Sequence, residues 1–395
     1  MELRSDYVGT NFFPTSLFLK TFEVTLVSPP LLNLKSHLVS PHYTLYLLAA
    51  VAGRLHRRAG GEYSELPRIR PPPALVLFLL APAVGELLSG SSPPAEFFTP
   101  FGFTIMTALY GGGAVLCREL KVRWRKGMGS LLLLGAAYGV LEEGLMVASF
   151  FNPAWPDLGA LGVFGRWLGV NWVWAVELTL YHAIVSITVP VMLVELAYPD
   201  HRGTPWLGSG WLRAVALIFG ADVVGGLILF SVITDYKPTE AQIIFSALLA
   251  AGFVLLARRL PADWARRGSR PMKRPLFYGT LTTLGAVASG AVFWVLPSIQ
   301  NPLLHPAIVA TLGALLDVLL IRRLADYDWR RSTDLHRFTV ASGSLSLFVA
   351  FAFLQELDRT RTDNRAGMSL VGLSFLVGLA LLGMKVRGRS ERRGP

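Results

Sequence analysis

The sequence has few charged residues and almost no cysteine. Cys117 is the single cysteine in 395 residues, so an internal disulfide and a thiolate metal cluster are both excluded. Only 16% of the residues are charged, whereas a soluble globular domain has about 25%. Together with a hydrophobic content of 52%, this shortage of charge indicates long stretches that do not face water.

Several catalytic motifs are also missing. The sequence contains no HExxH pair, no Walker lysine motif and no GxSxG nucleophile elbow, which excludes the zinc peptidases, ATPases and serine hydrolases that depend on them. A net charge of +11 would indicate nucleic acid as a partner of a soluble protein. Here we expect the positive charge to lie in cytoplasmic loops, the partner to be the lipid bilayer, and no nucleic acid to be bound.

The sequence does contain a series of long apolar runs. A helix needs roughly 17–25 mostly apolar residues to cross about 30 Å of hydrocarbon, whereas barrel strands are shorter and alternate. Ten runs fit a helix: 73–90, 101–117, 129–150, 172–196, 212–234, 240–257, 276–297, 304–321, 338–355 and 367–384. We therefore predict an all-α fold, a polytopic helical membrane bundle of about ten transmembrane helices.

The lysine and arginine residues alternate between the connecting segments. Of the 37, twenty-nine lie in the segment 54–70 before the first run, in every second connector or in the C-terminal tail, five lie in the intervening connectors, and three lie nearer the N-terminus. Cytoplasmic connectors of membrane proteins collect Lys and Arg. The alternation predicts a multi-pass protein of the cell membrane with both termini in the cytoplasm.

This topology divides the chain into five regions. They are 1–72, a polar N-terminal extension that is disordered or interfacial; 73–257, a six-helix membrane core that carries the buried acidic residues; 258–275, a basic cytoplasmic loop; 276–384, a four-helix membrane bundle; and 385–395, a basic cytoplasmic tail. A misassigned start codon is an alternative explanation of the extension.

Most ionisable residues within the spans fall in the six-helix core, and such groups are costly in hydrocarbon and commonly functional. Glu142 and Glu143 lie in the outer half of the third span, and His182 lies near the middle of the fourth. We interpret these three as candidate catalytic residues; pairing with polar groups of neighbouring helices is the structural alternative. Adjacent helical residues point about 100° apart, so we do not expect both glutamates to face one neighbour squarely.

Other polar residues are candidates for the same pocket. They are Glu177, Asp222, Asn152 and Asn171. The segments 150–159 and 165–174 are rich in Trp, Asn, Pro and Gly, which predicts either a structured lid over the pocket or an aromatic belt at the membrane interface. Near the ends of their spans, Glu86 is expected at the interface and Glu195 is expected to be solvated.

Two segments carry a resemblance to a known family. YGVLEEGLMV (138–147) and LTLYH (178–182) resemble motifs of the CAAX-protease and bacteriocin-processing (CPBP) intramembrane glutamate proteases, EExxxR and FxxxH. The resemblance implies that Glu142 and Glu143 form the catalytic pair and that His182 is the first catalytic histidine. The sequence departs from the family pattern at Val147, Leu178 and Ile218, where the family has Arg, Phe and His. Strings such as YGVLEEGL and GVNWVW are also similar to bacterial or archaeal multi-pass membrane proteins without an assigned function.

Three functions are open from the sequence alone. The first is an intramembrane hydrolase or protease that uses the two adjacent glutamates and the histidine. The second is a cation- or proton-coupled transporter or channel that uses the same residues together with Asp222, because intramembrane acids and histidines commonly relay protons. The third is a non-catalytic membrane scaffold in which the acids join helices. The pattern indicates no particular cofactor, metal ion, substrate or protein partner.

Overall fold

The computed structural model describes residues 70–262, 264, 268–299, 304–358 and 363–392. The predicted N-terminal extension, apart from residues 70–72, lies outside the described residues, as do parts of the basic loop and the last three residues of the tail.

Within this described part, each of the ten predicted spans corresponds to a helix. These are α1 Pro73–Leu88, α2 Pro100–Arg123, α3 Met128–Met146, α4 Trp172–Ala197, α5 Ser209–Ile233, α6 Glu240–Arg259, α7 Pro275–Ser298, α8 Pro306–Ala325, α9 Asp334–Leu357 and α10 Met368–Arg392. Eight are long and apolar enough to cross a membrane; α1 is apolar but shorter, and α8 carries three charged residues. The polytopic helical bundle is therefore confirmed, whereas the count of ten spans and the side of each terminus remain predictions.

The helices begin at residues suited to that position. Proline opens α1, α2, α7 and α8, where its missing N–H would have no partner within the helix and its fixed φ suits the first turn. At the start of α6, Thr239 and Gln242 form a capping box in which each side chain accepts from the other residue's backbone N–H. These local signals place the helix starts close to where the hydropathy predicts them.

Five of the helices change from α-helical to π-helical hydrogen bonding for about one turn. The π-helical segments are Ala83–Leu88 in α1, Thr107–Gly111 in α2, Val140–Met146 in α3, His182–Thr188 in α4 and Ala291–Val295 in α7. Three of them have a proline within two residues, namely Pro82, Pro190 and Pro297, whose missing N–H interrupts the regular ladder. Such turns are uncommon and are frequent at functional sites, because they redirect the side chains that they carry.

Helices α3 and α4 form the centre of the bundle. In each, 72% of the apolar stretch is buried inside the protein, compared with 11% for α5, α7 and α10. A Cβ on Gly135 of α3 would lie 2.8 Å from the Cα of Ala183 in α4, so only glycine permits this approach of the two backbones. Residues on the facing sides of α3 and α4 are therefore held firmly and away from lipid.

A buried ion network joins the ends of α2 and α4. Lys121 Nζ lies 2.6 Å from Glu195 Oε1, and Arg118 contacts both Glu119 at 2.8 Å and Glu195 at 3.6 Å. The expectation that Glu195 is solvated was wrong, since it is only 5% exposed. The reason is that α2 continues to Arg123, beyond the predicted end at residue 117, and so brings its charged side chains against α4.

Candidate functional site

The three residues predicted to be catalytic meet in the structure. His182 Nε2 lies 3.1 Å from Glu143 Oε1, and its Nδ1 lies 3.4 Å from Glu142 Oε2. All three side chains are buried. The imidazole of α4 therefore lies between two carboxylates of α3 and contacts one with each ring nitrogen.

The expectation that both glutamates could not face one neighbour was wrong. Glu142 and Glu143 lie in the π-helical segment Val140–Met146, where the angle between successive side chains is smaller than in an α-helix. Gly139 contributes as well, because a Cβ there would lie 2.8 Å from the Cβ of His182. The wider turn and the missing side chain let one ring fit between two adjacent acids.

Glu143 is held on both of its oxygens. Oε1 contacts His182, and Oε2 accepts a hydrogen bond from the hydroxyl of Ser149. The indole N–H of Trp174 donates to the same hydroxyl at 3.0 Å, and Ser186 Oγ lies 3.0 Å from His182 Nδ1. This chain of contacts fixes the orientation of Glu143 and of the imidazole.

Glu142 is held less completely. Among the described residues its Oε2 has no hydrogen-bond partner, and its nearest charged contact is His182. The aromatic rings of Tyr110 and Tyr138 lie beside the imidazole, with centroids 5.9 and 5.6 Å from its own. Glu142 is therefore a buried carboxylate with one oxygen available to a water molecule or a ligand.

A large cavity opens beside these residues. Its volume is about 560 Å³, and each of the five π-helical segments contributes to its wall. Four carboxylates inside the bundle line it: Glu86, Glu142, Glu143 and Glu177. Most of the remaining wall is apolar or aromatic, and the cavity extends to exposed residues such as Ala160 and Asp358 at one end of the bundle. The size is within the range of about 300–1,000 Å³ that is usual for small-molecule sites.

Glu86, which is expected at the interface, is half-buried and belongs to this cavity. Its Oε1 accepts a hydrogen bond from Tyr110, and its Oε2 accepts one from Ser92 at 2.7 Å. On the opposite wall, Glu177 accepts a hydrogen bond from the indole of Trp294 in α7. The cavity is thus bounded by both predicted helical regions.

The other predicted pocket residues lie outside the cavity wall. Asn171 caps α4 by accepting from the N–H of Trp174, and its amide donates to the carbonyl of Leu161. Asn152 accepts from the N–H of Ala154 within a turn. Asp222 is half-buried on α5 and is absent from the residues that line the cavity in the described part of the chain. The two asparagines instead organise the segment between α3 and α4.

That segment matches the predicted lid in part. It contains two 3₁₀ turns within Pro156–Gly162, separated by non-helical backbone at Gly159. It also contains a two-stranded hairpin, β1 Arg166–Trp167 and β2 Val170–Asn171, paired antiparallel with Trp167 opposite Val170. Residues 155–158, 160 and 161 line the cavity, whereas the hairpin does not. The 3₁₀ turns therefore cover one side of the acidic site.

The catalytic candidates also form a set that could hold a metal ion. One oxygen of Glu142, one of Glu143 and one ring nitrogen of His182 lie within 4.8 Å of one another. These are ligand types that zinc accepts. An ion there would use only one ring nitrogen, so one of the two present carboxylate–imidazole contacts would have to break.

Residues 75–387 match the sequence model of an uncharacterized membrane protein family. The chain belongs to this family. The match begins inside α1 and ends inside α10, so it includes α2 to α9 in full, most of α1 and α10, and the acidic site. No match was found among curated proteins or among solved structures. The family description names no activity, and the resemblance to the CPBP proteases stays a prediction.

Sequence reasoning missed several site residues of this membrane protein. Tyr110, Ser149, Ser186 and Trp294 contact the acids or the histidine, and Trp174 contacts the Ser149 hydroxyl. The sequence has ten Trp, and serines are spread over many spans, so residue type alone does not distinguish these members. The spacing of Ser186 four residues after His182, on the same helical face, was the one local signal that could have found a partner.

Proposed function

We propose that the protein is an intramembrane hydrolase that cleaves an amide or ester bond of an apolar substrate. The observation that carries this proposal is the meeting of Glu142, Glu143 and His182 at the wall of one large cavity, with an oxygen of Glu142 left without a hydrogen-bond partner. Paired carboxylates and an imidazole within hydrogen-bonding reach are the groups that general acid–base hydrolysis requires.

Glu142 acts as the base in this proposal. Its carboxylate takes a proton from a water molecule while the water oxygen bonds to the substrate carbonyl carbon, and the carbonyl oxygen gains negative charge. Glu142 then gives the proton to the leaving nitrogen or oxygen as the carbon–heteroatom bond breaks. The products are a carboxylic acid and an amine or alcohol, and the carboxylate is restored.

In this proposal Glu143 orients His182, and His182 stabilises the negative charge that develops on the substrate oxygen. The Glu143 carboxylate, held by Ser149, orients the imidazole. The Nδ1 side of the ring is shared between Ser186 at 3.0 Å and Glu142 at 3.4 Å. A hydrogen on Nδ1 would stabilise an oxyanion that develops on this side of the ring, which is the role of an oxyanion-hole donor.

The apolar side chains of the cavity wall are suited to an apolar substrate. Side chains such as Met106, Leu109, Phe230 and Phe348 surround the acidic residues. An acyl chain or an apolar peptide segment would bury its own surface there at about 25 cal/mol per Å². Because the cavity lies among helices that span a membrane, such a substrate can approach from the lipid phase.

The test uses the purified full-length protein in nanodiscs with two fluorogenic probes, a long-chain acyl ester and an apolar peptide amide. We expect Glu142→Gln to lower hydrolysis by about 10²-fold or more, as is typical for loss of a general base. His182→Ala is expected to be equally damaging. Asp222→Asn is the matched control, since it removes a half-buried carboxylate outside the cavity and should leave turnover unchanged.

Folding is checked for each variant by size-exclusion elution and helical circular dichroism. Normal turnover in both Glu142→Gln and His182→Ala would contradict the proposal. Equal losses in the control and in the two site variants would contradict it as well, because they would indicate general damage rather than loss of a base.

A cation- or proton-coupled transporter is the second candidate. Four carboxylates lining one cavity favour it, because chains of intramembrane acids commonly relay protons. The distinguishing measurement is pH-driven flux into proteoliposomes. Flux that is lost in Glu142→Gln, together with no hydrolysis of either probe by the unmodified protein, would favour transport over hydrolysis. A non-catalytic scaffold predicts neither activity and reduced stability of the same variants.

A further inference from the structure

A second, smaller cavity adjoins the first and shares Glu177, Tyr181 and Trp294 with it. Its volume is about 80 Å³, and it is bounded by α4, α7, α8 and α9. Its lining includes the carboxylate residues Glu177 and Asp317 and the hydroxyl residues Thr282, Ser289 and Ser344. Each of the four helices therefore contributes at least one carboxylate or hydroxyl residue to the lining.

Asp317 is the charged residue specific to this cavity. It is only 6% exposed, and its Oδ2 accepts a hydrogen bond from Ser289 at 3.1 Å. The hydroxyls of Thr282 and Ser344 donate to helix carbonyls, each at 3.0 Å. Because their protons are used in this way, both hydroxyl oxygens keep lone pairs that can accept a hydrogen bond or bind a cation.

Glu177 adds a second, incompletely satisfied carboxylate. It is 7% exposed, and among the described residues its Oε2 has no hydrogen-bond partner, whereas Oε1 accepts from Trp294. It lies in the wall between the two cavities, since it lines both. A buried polar atom without a partner is costly and indicates a missing ligand or water.

The small cavity has negative groups and no positive ones. In the described part of the chain, its lining includes no Lys, Arg or His. Two carboxylates among hydrophobic helices need either protons or a cation to offset the cost of burial. The available volume is sufficient for a small ion and a few water molecules.

We propose that the small cavity binds a monovalent cation, Na⁺, with Asp317 and Glu177 as the charged ligands and the three hydroxyl oxygens as neutral ligands. Hard oxygen donors of this kind suit a small hard cation. Mg²⁺ would require near-ideal octahedral geometry, and Ca²⁺ takes six to eight oxygens. Here one oxygen of each carboxylate already accepts a hydrogen bond, so one oxygen from each carboxylate and the three hydroxyl oxygens remain for the ion, fewer than Ca²⁺ takes.

The experiment measures saturable binding of radiolabelled Na⁺ to the purified full-length protein in detergent, at fixed pH and with choline chloride holding the ionic strength constant. We expect the unmodified protein to bind Na⁺, and excess unlabelled Na⁺ to displace the label. Asp317→Asn should abolish binding. Ser289→Ala, which removes a hydroxyl and is milder for folding, should weaken it by about tenfold, the effect of losing one good polar contact.

The matched controls lie outside the small cavity. Asp222→Asn and Glu142→Gln are each expected to bind Na⁺ as the unmodified protein does, because neither residue lines it. Absence of saturable Na⁺ binding to the folded, unmodified protein would overturn the proposal. Loss of Na⁺ binding in Glu142→Gln, with binding retained in Asp317→Asn, would also overturn it, because it would assign the ion to the larger cavity. Displacement of the label by micromolar Ca²⁺ and not by unlabelled Na⁺ would overturn it as well. The result does not depend on hydrolysis, so it can fail or succeed separately from the proposed function.

Discussion

Replacing Glu195 by glutamine removes the carboxylate that Lys121 and Arg118 share at the buried ends of α2 and α4. At 2.6 Å and an effective dielectric constant of about 20, the Lys121–Glu195 attraction is about 6 kcal/mol before desolvation is subtracted. Removal of both charges from water costs several kcal/mol per ion, so the net contribution of the intact pair is small. Removal of one partner is different, because it leaves a buried cation without its counter-ion.

We therefore expect Glu195→Gln to lower the free energy of unfolding by about 3–5 kcal/mol. The double variant Lys121→Met with Glu195→Leu should recover most of that loss, because it removes both charges and keeps a similar volume, while Arg118 retains its contact with Glu119 at 2.8 Å. The measurement is denaturant unfolding in detergent micelles, followed by helical circular dichroism.

The control for this prediction is Glu391→Gln in the exposed pair with Arg387, whose atoms are also close, at 3.0 Å. Exposed pairs contribute little, so no measurable loss is expected there. The reasoning would be refuted by a loss below about 1 kcal/mol for Glu195→Gln. It would also fail if the double variant were as unstable as the single one, since the uncompensated charge would then not be the cause.

Two further predictions concern the site and the topology. Gly139→Ala would place a Cβ 2.8 Å from that of His182. We expect at least a tenfold loss of hydrolysis in a protein that still elutes as a folded species, because a small misplacement of a catalytic group has an effect of this order. Unchanged turnover would contradict the role given to that close approach. The topology can be tested by cysteine labelling, because the native cysteine is buried. If the basic connector is cytoplasmic, a membrane-impermeant maleimide applied to intact cells should label the exposed position of Lys237→Cys and should not label Ser269→Cys. The opposite labelling pattern would reverse the predicted orientation.

Hydropathy was sufficient to predict the helical bundle. The ten predicted runs coincide with α1–α10 because burial in hydrocarbon requires long apolar segments whose backbone groups bond internally. The expectation that a charged residue near the end of a span is solvated was less reliable. Lys121 and Glu195 are 74 positions apart, and only tertiary structure brings them together, so their mutual burial had no signal in either segment alone.

The candidate site was predicted in its centre but not in its surroundings. Glu142, Glu143 and His182 are conspicuous because ionisable residues are rare within spans, and the structure brings them together. Asn152 and Asn171 were equally polar, yet they satisfy backbone groups of the connecting segment, a role that depends on turn geometry. Ser149 and Trp174 had no distinguishing pattern, because one is a common residue and the other belongs to a stretch already rich in tryptophan.

The π-helical turns determine where side chains point in the site, whereas the hydropathy of the same helices determines membrane insertion. A turn of this kind contains one more residue than an α-helical turn, so deleting a single residue from Val140–Met146 would hardly change the length or hydropathy of α3. Membrane insertion depends on that hydropathy and should proceed as before. Every side chain beyond the deletion would nevertheless rotate by roughly 100°. A protein of this kind can thus be correctly inserted, of normal length and abundance, and still have no site.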